Sequence, residues 1–279
     1  MKTVISASRR TDVPAFYLKW FINSIREGTL EVSNPFYPAQ KKAVSLAPEQ
    51  VGWIVFWSRN YAAFLKNYNF FEAYNLFFHF TILSPSKLES VSIPQNKALG
   101  QIENLCKIYG PERIIWRYDP IVSWYESDIL KTNFQEKNFE ELCRQMHQLK
   151  ITRCYTSFAF PYKKFTNRFS RKFPQDHIHQ PELEEQVAVL TQMRDIASFF
   201  NISIYSCCND NLLRLNGIHK GHCIDGQLLN ELEPNIKISQ AKHSTRKECG
   251  CTKSIDIGDY RQQPCTFGCI YCYANPVIK

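Results

Sequence analysis

The chain has no apolar run near the eighteen residues that a membrane helix needs, and it begins with a strand-like MKTVISAS rather than the apolar core of a secretory leader. A soluble, cytoplasmic protein is therefore expected, with no membrane partner. Glycine is scarce, at 10 in 279 residues, and no glycine-rich nucleotide loop follows the first strand-like segment, which argues against a doubly wound dinucleotide-binding sheet. No Gly/Ser/Pro-rich linker, repeat or low-complexity segment divides the chain. A chain this long does not need disulfide staples, so its 11 cysteines call for another use. Their concentration in the last quarter fits metal better than oxidised cross-links.

What is present is an alternation of short apolar runs with longer amphipathic stretches. Strand-like runs are 3–7, 43–46, 53–57, 76–82, 113–118, 153–158, 202–206 and 236–240; helical patterns cover 14–27, 59–68, 95–109, 136–149 and 181–200. Near-continuous apolar strands separated by helices predict a parallel sheet with covered faces. Six to eight such units predict an α/β fold, a closed or partly closed (β/α) barrel of TIM type over residues 1–240, followed by a cysteine-rich tail over 241–279.

The tail ends in a C-x3-C-x2-C run formed by Cys265, Cys269 and Cys272, with Tyr271 just before the third cysteine. Three thiolates on one short loop can hold three irons of a [4Fe–4S] cube and leave the fourth iron open to a ligand. Structural zinc prefers paired C-x2-C knuckles with four ligands, a pattern this triplet lacks. A second set is available in Cys207, Cys223, Cys249 and Cys251, which would make a closed four-thiolate site for a second iron–sulfur cluster or for zinc; Cys208 competes with Cys207 as the ligand. Cys106, Cys143 and Cys154 read as buried apolar thiols.

Polar residues follow several strands, where barrel enzymes place their sites. Ser8, Arg9, Arg10 and Asp12 lie after the first strand, where an arginine could grip a carboxylate or phosphate while Asp12 caps a helix opening at Pro14. Arg117 and Asp119, two apart, project to one side and either pair with each other or hold a ligand. His79 alternates with apolar neighbours and reads as a satisfied interior histidine. The formal charge of +8, and the run Lys163, Lys164, Arg168, Arg171 and Lys172 interleaved with Phe165, Phe169 and Phe173, admit either a nucleic acid or a solvated basic loop over core-facing rings.

The triplet resembles the radical S-adenosylmethionine motif, in which the residue before the third cysteine is aromatic and packs near the adenine. The resemblance implies that Cys265, Cys269 and Cys272 hold a [4Fe–4S] cluster, that Tyr271 contacts S-adenosylmethionine, and that an electron donor such as ferredoxin or flavodoxin serves the cluster. Two departures accompany it: that superfamily carries the motif near the N-terminus, and no Gly-Gly-Glu run is present to grip the methionine amine, so the loop from Ser6 to Asp12 would have to serve or the ligand is another. From end to end the chain also resembles a family of bacterial and archaeal proteins catalogued as a domain of unknown function. The shared stretches are Ser6 to Tyr17, Trp57 to Asn60, Phe78 to Thr81, Trp116 to Pro120, Cys249 to Cys251, Asp256 to Tyr260 and Cys265 to Asn275.

The expected function is an iron–sulfur enzyme that cleaves S-adenosylmethionine to modify an unknown substrate, a small molecule or a nucleic acid. A redox or sensor protein that uses its clusters only for electrons, and a zinc-stabilised nucleic-acid binder, are the alternatives. A barrel makes the late position of the motif reasonable, because the last strand lies beside the first and their loops share one mouth.

Overall fold

The computed structural model describes residues 1–243 and 246–278. Eight strands form one parallel sheet: β1 (Thr3–Ser6), β2 (Val51–Ser58), β3 (Leu76–Thr81), β4 (Ile114–Arg117), β5 (Arg153–Thr156), β6 (Ser203–Ser206), β7 (Ile218–Lys220) and β8 (Ile255–Asp256). They are ordered β8-β1-β2-β3-β4-β5-β6-β7, so β1 to β7 each pair with the next strand in sequence and β8 adds at the edge beside β1.

Side-chain alternation explains why the strands are apolar throughout. Ile5, Ile54, Phe56, Phe78, Trp116, Cys154 and Ile204 point to one face. There they pack against α1 (Leu18–Arg26), α2 (Gln95–Tyr109), α3 (Glu136–Gln148) and, beyond α4 (Lys163–Lys172), α5 (Leu183–Phe199). Val4, Trp53, Val55, Phe77, Ile115 and Tyr155 point to the other face. That face is covered by Leu228 and Leu229 of α6 (Gly226–Leu232) and by Cys207, Cys249 and Cys251.

Of the closed or partly closed barrel expected, the closed form is not built. Among the described residues no ladder joins β7 to β8, and the sheet is open between them. With three and two residues, these edge strands offer too few backbone groups to pair across the gap, and the chain between them is spent on α6 and the cysteine loops. The expected strand over 236–240 reduces to a bridge between Ile238 and Lys2, and the run at 43–46 belongs to a separate antiparallel pair, Thr29–Ser33 with Lys41–Ser45. Residues 163–172, read as a loop, form α4, whose Phe165 and Phe169 are buried against Ile270 of the tail. Among the described residues, no helix is long and apolar enough to cross a membrane.

Candidate metal centre

The strands end on one side of the sheet, and the loops leaving those ends, with the segment leading into β8, gather both sets of cysteines. The tail contributes β8 to the sheet beside β1, with Ile5 opposite Ile255 and Ser6 opposite Asp256, and its next turns bring the triplet over the ends of β1, β2 and β3. Tyr17 donates to the Pro264 carbonyl at 2.8 Å, Ile270 N–H to Leu88 at 2.9 Å and Val91 N–H to Phe267 at 3.0 Å. Gly268 turns the loop with φ +67°, and a Cβ there would stand 2.9 Å from Ser90 Cβ and 3.0 Å from the Val277 carbonyl. Cys269 is buried, while Cys265 and Cys272 are half-buried.

A charged network braces this loop. Arg59, the residue after β2, makes a two-pronged bond to Glu89 at 2.7 and 2.6 Å, donates to the Tyr271 hydroxyl at 2.8 Å and reaches the Cys269 sulfur at 3.4 Å. Tyr271 in turn donates to Glu89 at 2.5 Å. Arg168 of α4 grips the far side, donating to the carbonyls of Ile270, Ala274 and Cys272. Phe267 is buried edge-on against Phe16 at 4.7 Å, which keeps water from the loop.

Burial pushes the Cys265 thiol up, lifts that of Cys269 and takes Cys272 to about 11. Free of metal, these groups are thiols at neutral pH, and a bound metal would have to displace their protons. Arg59 beside Cys269 and Arg168 near Cys272 supply the positive charge that offsets the thiolates so formed. Among the described residues, no three Cys, His, Asp or Glu side chains already stand at the spacing of ligands to one metal ion.

The second set assembles from three separate segments. Cys207 and Cys223 have sulfurs 4.0 Å apart, Cys223 contacts Cys251, and Cys251 contacts Cys249. Cys208 contacts Cys249 and extends the series to five. Hydrogen bonds from the Cys207 and Cys251 thiols, with Arg117 nearby, pull the Cys223 thiol down from its ordinary range. Arg117 donates to that sulfur at 3.2 Å and pairs with Asp119 at 2.6 Å, and Ser157 donates to Asp119. The expected mutual pair between Arg117 and Asp119 is therefore formed, and it serves a cysteine. His79 is fully buried, bonds the Cys223 carbonyl at 2.8 Å and stacks on Trp57 at 4.8 Å. Burial and Arg117 lower its pKa to about 3, so it is a neutral interior histidine, as its sequence setting suggests.

The residues of the first loop have separate roles. Asp12 caps the turn at Val13–Tyr17 by accepting from Ala15 N–H at 3.0 Å, and it accepts from Ser58 at 2.8 and 2.9 Å. Arg10 is spent on the carbonyls of Ser33 and Gly258 at 2.7 and 3.3 Å. Arg9 lies 5.8 Å over the Trp57 ring and 3.5 Å from Asp256, on the side of Cys251 and Cys223, while its carbonyl accepts from Tyr273, the residue after Cys272. Arg9 thus stands between the two cysteine groups. Phe165 and Phe169 of α4 face the core, while Phe173 is half-buried beside them.

Sequence reasoning gave no role to Glu89, Asp256 or Arg59, and left Arg168 in a basic run. Arg59 lies in the polar segment after a strand, a signal that was present; Glu89 sits 180 residues before Cys269 and carries no local mark. A family model described as Domain of unknown function (DUF1848) matches residues 4–274. No curated protein matches the chain.

Proposed function

Because the chain belongs to this family of unknown function, its activity has to be read from its own side chains, and we propose that it is an iron–sulfur enzyme of the radical S-adenosylmethionine type. The observation that carries this reading is the loop of Cys265, Cys269 and Cys272 at the carboxyl ends of β1, β2 and β3, braced by Arg59, Glu89 and Tyr271. Since β8 lies beside β1, a loop that leaves β8 reaches the end of the sheet where a loop after β1 would lie. That adjacency accounts for a cluster motif at the wrong end of the chain. It also suits a sheet curled as a partly closed barrel around the site.

In this reading Cys265, Cys269 and Cys272 hold a [4Fe–4S] cluster with one open iron. The chemistry such a centre supplies when bound is one-electron cleavage of S-adenosylmethionine, with the resulting 5′-deoxyadenosyl radical taking hydrogen from a substrate. Arg59 and Arg168 offset thiolate charge, Glu89 and Tyr271 fix the loop between the second and third ligands, and Phe267 with Ile270 excludes water. A small acidic electron donor of the ferredoxin or flavodoxin class would supply the electron.

The second centre is a closed thiolate site. The sulfurs of Cys207 and Cys223 stand 4.0 Å apart, and zinc or a second iron–sulfur cluster would have to draw Cys249 and Cys251 in toward them. Such a centre ties the tail to the sheet.

Anaerobic purification with iron and sulfide counting tests both readings. The expected result is about four irons, lost from the Cys265→Ala/Cys269→Ala/Cys272→Ala variant with the fold retained. Adding S-adenosylmethionine to the reduced protein should change the cluster's electron paramagnetic resonance spectrum and release 5′-deoxyadenosine. Iron retained by the triple variant refutes the ligand assignment. An unchanged spectrum from a fully loaded cluster would instead identify a redox protein.

A further inference from the structure

Four buried polar side-chain atoms without a hydrogen-bond partner lie on two facing segments: Ser6 Oγ, Ser8 Oγ and Thr11 Oγ1 on the loop leaving β1, and Asp256 Oδ1 at the end of β8. These segments are in register, with Ser6 opposite Asp256, Ile257 N–H donating to the Ser6 carbonyl at 3.0 Å, and Gly258 against Thr11. Between them stands Arg9, whose guanidinium is mostly buried, lies 3.5 Å from Asp256 Oδ1 and makes no hydrogen bond among the described residues. Buried polar groups are nearly always satisfied, and each one that is not costs about 1–3 kcal/mol. A guanidinium held only by the Trp57 ring and a 3.5 Å ion pair to Asp256, beside three hydroxyls that lack partners, therefore describes a receptor.

The signs of these groups select its ligand. A phosphate or simple carboxylate would meet the Asp256 charge, and a simple amine would meet that of Arg9. A zwitterion satisfies both. We propose that Arg9, Asp256 and Ser8 form a clamp for an α-amino acid group, its carboxylate accepting from Arg9 and its ammonium donating to Asp256, with the Ser8 hydroxyl completing either end. Arg10 takes no part, because its bonds are already made to Ser33 and Gly258. The clamp adjoins the triplet through Tyr273, which follows Cys272 and donates to the Arg9 carbonyl. On the reading proposed above, its occupant is the methionyl end of S-adenosylmethionine; a free amino acid has the same chemistry.

Calorimetric titration of the anaerobic, metal-loaded protein separates these sources. S-Adenosylhomocysteine, which keeps the aminocarboxylate, should bind, and methylthioadenosine, which lacks it, should bind about tenfold or more weakly, the scale of one charge-assisted contact. Asp256→Asn and Ser8→Ala, each checked for unchanged circular dichroism and iron, should weaken S-adenosylhomocysteine and leave methylthioadenosine unaffected. If L-methionine or another free amino acid binds in an Asp256-dependent way and S-adenosylhomocysteine does not, the clamp stands and the radical S-adenosylmethionine reading falls. Equal binding of the two nucleosides, no binding of any of these ligands, or full affinity in both variants overturns the clamp. Should Asp256→Asn fail to fold, Ser8→Ala decides.

Discussion

Replacing Glu89 by alanine takes away the carboxylate that pairs with a buried arginine beside Cys269. The side chains of Arg59 and Glu89 are 14% and 3% exposed, and both guanidinium nitrogens are engaged, at 2.7 and 2.6 Å. Breaking such a pair from one side costs about 3–5 kcal/mol, because the remaining charge stays buried and unpaired. Arg59 would keep the Tyr271 hydroxyl and the Cys269 sulfur, which places the loss toward about 3 kcal/mol. At about 2–4 °C per kcal/mol for chains of comparable size, the melting temperature should fall by roughly 6–12 °C. Thermal melts and urea titrations at pH 7, run alongside metal analysis, measure it. Replacing both partners, in Arg59→Met/Glu89→Leu, should recover more than half of the loss, since no charge is stranded. A Glu89→Ala protein within about 0.5 kcal/mol of the parent, the scale of an ordinary surface substitution, would refute the reasoning.

Asp12 sets a dependence on pH. Burial raises its folded pKa from 3.8 to about 7, so between those values the unfolded chain releases a proton that the folded one keeps. Its contribution is full below about pH 4 and is lost as pH rises to about 7, by up to about 4 kcal/mol; urea melts across that window should show wild-type stability falling relative to Asp12→Asn, and parallel profiles would refute it. Gly268→Ala forces a left-handed residue against Ser90 and Val277 and should cost about 1–3 kcal/mol with reduced iron content; an unchanged melting temperature would count against the loop geometry. Cys251→Ala removes a thiol that touches Cys223 and Cys249 and should strip metal from the second centre, whereas an unchanged metal count by native mass spectrometry would exclude that centre.

The elements with the strongest local pattern were legible without coordinates. The helix expected over 95–109 spans Gln95–Tyr109, and those expected over 136–149 and 181–200 form Glu136–Gln148 and Leu183–Phe199. All but two of the expected strands entered the parallel sheet, because both faces of such a sheet are buried and its strands are apolar at every position. The exceptions carry too little apolar surface to hold a place in it. α4 was missed because its buried stripe consists of two phenylalanines in a basic run that reads as solvated.

The sequence alone determined the identity and spacing of the triplet, since three ligands within eight residues are brought together by a local turn. It also supplied the members of the second cysteine set, though nothing local could say that Cys207, Cys223, Cys249 and Cys251 would meet. Their meeting depends on β6 and β7 ending, and the segment leading into β8 arriving, at the same side of one sheet. Only the tertiary structure decided that β8 lies against β1, that Glu89 reaches Arg59, and that Asp256 faces Arg9. These pairs join residues 30 to 250 positions apart. Their proximity follows from strand register and packing, and neither is written in the neighbourhood of any one residue.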